Sequence, residues 1–129
     1  MKDLMLGNLV VYPNYYKNNI KPDRYFTVKE ILEDNRISIS DGCVMAVIDF
    51  TEQNKVKITI ELLEKLSVIQ QLLNISKNIF LVYANDAVNI LVNGNYHGTV
   101  KYFHELQNYL SINFKIEINL SNLYVKLNV

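Results

Sequence analysis

Through residue 58, apolar positions come in short runs with a period near two, and turn-forming residues cut the runs apart. This pattern predicts strands. "GNLVVY" (7–12) is apolar and β-branched, and Pro13 with "NYYKNNIKPD" (14–23) ends it in a loop. "RYFTVKEIL" (24–32) is the second predicted strand, followed by a turn at Glu33, Asp34 and Asn35. "RISIS" (36–40) alternates strictly, with Ile37 and Ile39 on one face. Asp41-Gly42 reads as a hairpin turn with positive φ at both residues, leading into "CVMAVIDF" (43–50). "KVKI" (55–58) is a fifth candidate strand. Short strands joined by tight turns predict a small SH3-like barrel.

From Thr59 onward the period changes. Thr59 is a predicted N-cap for a helix from Ile60 to about Asn74. On a continuous wheel, Leu62, Leu63, Leu66, Ile69 and Leu73 share an arc of about 120°, leaving Val68 and Leu72 off the stripe. "NIFLVY" (78–83) and "AVNILVN" (87–93) are strands, and Asn93-Gly94-Asn95 turns the second into "YHGTV". A second helix is predicted from Lys101 to Asn113, with Phe103, Leu106 and Leu110 as its buried stripe. The tail from 115 holds two alternating runs, readable as a hairpin or as two separately placed strands. The predicted class is α+β: an N-terminal SH3-like β-barrel over 1–58, then two amphipathic helices packed on an antiparallel sheet over 59–129.

Composition narrows the partners. Half the residues are hydrophobic, and thirteen basic residues balance thirteen acidic ones. Phosphate neutralisation needs a local excess of Lys and Arg, and Arg24 and Arg36 are the only arginines, which argues against nucleic acid as the main partner. Cys43 is the single cysteine, so no intrachain disulfide forms, and a small buried apolar role is expected for it. The N-terminal residues lack the apolar core of a signal peptide, and no run reaches the length of a membrane span. A soluble protein of a reducing cytoplasm is the expectation.

No chemistry-bearing motif stands out. His104 and Glu105 are neighbours in "YFHELQNYL" (102–110), but adjacent helical residues do not face each other. The wheel turns His104 roughly 130° from the apolar stripe, so a surface or capping role is expected. His97 and His104 lie seven apart across a strand–helix junction, which matches no usual metal spacing. The four glycines are scattered at turns and build no phosphate loop. Neither a cofactor nor an enzymatic activity is expected.

The stretch "YPNYYK" is a stronger candidate for binding. Tyr12, Tyr15, Tyr16, Lys17 and Ile20 combine amphipathic rings, aliphatic area and charge in a long connection. They form the candidate partner-binding set. The competing reading is that the rings close one end of the barrel.

Three segments share an order with a known group. "MLGNLVVY", "VKITIELLEKL" and "VKYFHELQNYLSINFKIEI" resemble the pattern "IGN-V-Y … LTEEWLLKFGF … YVHQLQNLYFALTGEEL" of small proteins encoded by phages and mobile elements of Bacteroidetes. The match is densest at Tyr102, His104, Leu106, Gln107 and Asn108. The chain departs from it where "IEL" replaces "EEW" and where no Phe-Gly-Phe closes the central helix. The resemblance supplies no catalytic residues. It implies a phage or mobile-element setting, and with it a non-enzymatic protein that binds a host factor, such as a component of antiviral defence. A virion or assembly component is the alternative, and a nucleic-acid-binding regulator using the barrel is the third.

Overall fold

The computed structural model describes residues 4–12 and 24–123. The chain divides into two compact units, Met1–Val56 and Lys57–Val129. The class is α+β.

The first unit is an antiparallel meander of four strands, β1 (Leu9–Tyr12), β2 (Arg24–Ile31), β3 (Arg36–Ser40) and β4 (Met45–Asp49), paired in that order. It curls into a half-barrel. Lys29 is an extra residue in the β2–β3 ladder, where Val28 pairs with Ile39 but Glu30 pairs with Ser38. Such a bulge bends its strand and adds twist. Asp34 and Asn35 both take left-handed backbone, and the Arg36 N–H donates to the Glu33 carbonyl, which makes a tight hairpin turn whose twist suits the strands. The concave side buries Val10, Phe26, Val28, Ile37 and Ile39, with Leu4 closing the cluster.

Residues 55–58 do not form the expected fifth strand. After β4 a 3-10 turn (Glu52–Asn54) brings the chain back to β1, where Lys55 makes one isolated antiparallel bridge with Val10. Asn54 fixes the return. Its Oδ1 accepts from the Thr51 N–H at 2.9 Å, and its Nδ2 donates to the Val11 carbonyl at 3.0 Å. The Asp41-Gly42 turn also differs from expectation. Only Gly42 has positive φ, because Asp41 Oδ1 accepts from the N–H groups of Cys43 and Val44 and makes a side-chain-closed turn. β4 therefore starts at Met45, and Cys43 sits exposed in the turn, not buried as expected.

The second unit runs α1 (Ile60–Lys65), α2 (Val68–Ile75), β5 (Ile79–Ala84), β6 (Ala87–Val92), β7 (Asn95–Val100) and α3 (Phe103–Phe114). The three strands form one antiparallel sheet in chain order. Its hairpins turn at Asn85-Asp86 and Asn93-Gly94, all four with positive φ. Thr59 caps α1 as expected, its hydroxyl accepting from the Leu62 N–H. Residues 115–120 form no strand, Ser121–Leu123 is a 3-10 turn, and the rest of the tail lies outside the described residues.

The predicted helix from Ile60 to Asn74 is in fact two. Ser67 adopts left-handed backbone (φ 53°, ψ 41°) and breaks it. The break shifts the phase of everything after it. Val68 and Leu72, off the stripe on a continuous wheel, are buried, while Ile69 and Leu73 are exposed. Gln71 stabilises the interruption. Its Nε2 donates to the Leu66 carbonyl at 2.7 Å, a group the broken ladder would otherwise strand. The same amide pairs with Asn119 in both directions, receiving its N–H at Oε1 and donating to its carbonyl.

Truncating Leu72 to Ala is therefore expected to destabilise the protein by about 2–5 kcal/mol, and truncating Leu73 by under about 1 kcal/mol. Denaturant melts of the two variants check this; the reverse order would mean an unbroken helix.

Candidate functional site

Of the predicted partner-binding residues, the structure describes Tyr12; Tyr15, Tyr16, Lys17 and Ile20 lie outside the described residues. Tyr12 is half-buried at the end of β1, opposite Arg24 in the ladder. Its ring meets Phe26 edge-on, with centroids 6.3 Å apart. This favoured geometry fastens the end of β1 to the core of the first unit.

The two histidines occupy unlike environments. His97 is the extra residue of a second bulge, since Ile90 pairs with Gly98 and Leu91 with Tyr96. The bulge re-aims its ring toward α3. There it hydrogen-bonds the Tyr109 hydroxyl through Nδ1 and packs against Tyr109 and Phe114, at centroid distances of 5.5 and 5.4 Å. Gly98 makes this possible: a Cβ there would lie 2.8 Å from both Cε2 and Cζ of Tyr109. Burial, then the nearby Tyr96, pushes the Tyr109 phenol up, so it keeps its proton at neutral pH. The pair works as a polar latch between β7 and α3.

His104 is fully buried, contrary to the surface role expected. The wheel placed one apolar stripe on α3, but the helix buries two. Phe103, Leu106 and Leu110 form one; His104 and Asn108, four residues apart, form the other. The His104 ring stacks on Tyr102, with centroids 6.1 Å apart and planes 22° apart. Glu105 is engaged elsewhere, its Oε1 accepting from the N–H groups of Lys101 and Tyr102 at 3.0 Å. This caps the helix start. Sequence periodicity missed the second stripe because it is polar; its only signal was the four-residue spacing of His104 and Asn108.

Among the described residues, no three His, Cys, Asp or Glu side chains converge on a metal position, and no helix is long and apolar enough to cross a membrane. The second unit has an open groove of about 380 Å³ between α1, α2 and β5. Ile60, Leu63, Ile69 and Leu81 line it together with Glu64, Gln70 and Tyr83. No family model, curated protein or solved structure matches the chain.

Two variants test this geometry. Gly98→Ala is expected to cost about 1–3 kcal/mol, because Tyr109 must leave its place. In Tyr109→Ala the same glycine change should cost much less, and a double-mutant cycle reads the difference. His104→Ala should destabilise by about 1–3 kcal/mol through loss of a buried ring and its partners. A loss below about 0.5 kcal/mol would return His104 to the surface.

Proposed function

We propose that this chain is a non-enzymatic binding protein of phage or mobile-element origin. Tyr12, Tyr15, Tyr16, Lys17 and Ile20 contact a protein partner from the bacterial host. Inhibition of a host antiviral-defence factor is the narrower role. One observation carries the choice of surface. The β1–β2 ladder is paired up to Tyr12 and Arg24, the residues on either side of 13–23. Tyr12 is further pinned on Phe26. A long connection on a rigid base is a common site of recognition.

The finer reading of the first unit as SH3-like has its own support. A 3-10 turn after the fourth strand returns the chain to β1, and Lys55 bridges Val10. This arrangement brings the segment after β4 alongside the first strand, as closure of a small barrel requires.

Capture from host lysate with the whole chain, followed by titration of the captured protein, tests the function. Replacing Tyr15 and Tyr16 together by Ser is expected to leave the thermal midpoint within a few degrees and to weaken binding about tenfold or more, since interface aromatics often contribute over about 1 kcal/mol each. A large fall in midpoint with unchanged affinity would make the rings a plug of the barrel. Finding the chain in purified particles by mass spectrometry would favour a virion component. Gel shifts that weaken steeply with salt would favour a nucleic-acid regulator.

A further inference from the structure

The groove between α1, α2 and β5 has a chemistry that selects its occupant. Its lining is largely apolar. Ile60 and Ile69 stand exposed along it although both are large aliphatic side chains. The charged groups around it are of one sign. Glu64 lines it, and the Tyr83 hydroxyl at its end donates to Asp86 Oδ1 at 3.3 Å. Glu61 also acts on Tyr83, and its charge, with that of Asp86, helps push the phenol up beyond the effect of burial. Among the described residues, no Lys or Arg forms an ion pair with Glu61, Glu64 or Asp86. Lys65, one turn from Glu61, makes none. The groove therefore combines uncovered apolar area with uncompensated negative charge. At about 380 Å³ it lies near the small end of the ~300–1,000 Å³ range of ligand sites. That suits one anchoring side chain with a cation beside it better than a cofactor.

We infer that this groove is a second docking site, which takes a segment of a partner protein carrying a large apolar side chain next to a Lys or Arg. The apolar side chain fills the space over Leu63 and Leu81, and the cation meets Glu64 and the Tyr83–Asp86 pair. Helices that leave Ile60 and Ile69 beside a sheet edge offer the kind of cleft in which such anchors are read. Acidic groups at the rim make the match selective, because an acidic segment of equal hydrophobicity is repelled. This site is independent of the Tyr12–Ile20 reading, and either can fail while the other stands.

A displayed library of random dodecapeptides, selected on the whole chain, tests the site. The expected result is enrichment of sequences with a large apolar residue adjacent to Lys or Arg. A synthetic peptide from that consensus should bind about tenfold or more weakly to Ile69→Ser and to Glu64→Lys. Both are exposed positions, and thermal melts verify that each variant folds. Binding should also weaken with salt, as expected for a rim charge. The exposed Met45→Ser in the first unit should leave binding unchanged. No enrichment, a consensus without cations, or affinity retained by both groove variants would overturn the assignment. So would a dimer in sedimentation that Ile69→Ser dissolves, since the occupant would then be a second copy. Enrichment that appears only in Lys126→Glu would overturn it too, by giving the groove to the chain's own tail.

Discussion

The left-handed backbone at Ser67, bridged by the side-chain amide of Gln71, is the constraint on which the arrangement of α1 and α2 depends. A serine in left-handed backbone costs roughly 1–2 kcal/mol and interrupts the helical ladder. Gln71 offsets this by donating to the stranded Leu66 carbonyl. Full burial of Leu66 and Val68 on either side of Ser67 contributes more, because each apolar side chain removed from water is worth about 1.5–3 kcal/mol. The result is a corner between α1 and α2 at Ser67. The same amide holds the backbone of Asn119, so one side chain ties the corner to the segment after α3.

The corner also determines which surface is left for binding. A straight helix would place Ile69 and Leu73 with Leu62 and Leu66 on one buried stripe. With the break, Val68 and Leu72 take the inner positions and Ile69 and Leu73 turn outward. Ile69 then lines the groove against β5 beside Ile60 and Glu64. The outward turn of Ile69 and Leu73 is thus the consequence of a single backbone conformation.

Much of the strand architecture was legible because hairpin chemistry is local. Asn93-Gly94 and the Asp34-Asn35 step announce positive φ, and the alternation of Ile37 and Ile39 gives their face directly. The Ser67 break was not legible, since nothing in "EKLSVIQQ" resembles a helix stop and the stabilising Gln71 bonds reach to Asn119, far along the chain. His104 was misread because a wheel built on apolar residues gives no weight to a buried polar stripe. Bulges at Lys29 and His97 leave no local mark either, though Gly98 beside His97 hints at a close approach. The groove was not legible either, because it required the corner to be known first.

Backbone and methyl NMR of the whole chain tests the account most directly. The corner predicts left-handed chemical shifts at Ser67 between two helical stretches and a slowly exchanging Gln71 side-chain amide. A soluble paramagnetic agent should then broaden the methyls of Ile69 and Leu73 while sparing Val68 and Leu72. Unbroken helical shifts from Ile60 to Asn74, with Leu73 protected and Leu72 broadened, would contradict it and remove the groove along with the corner.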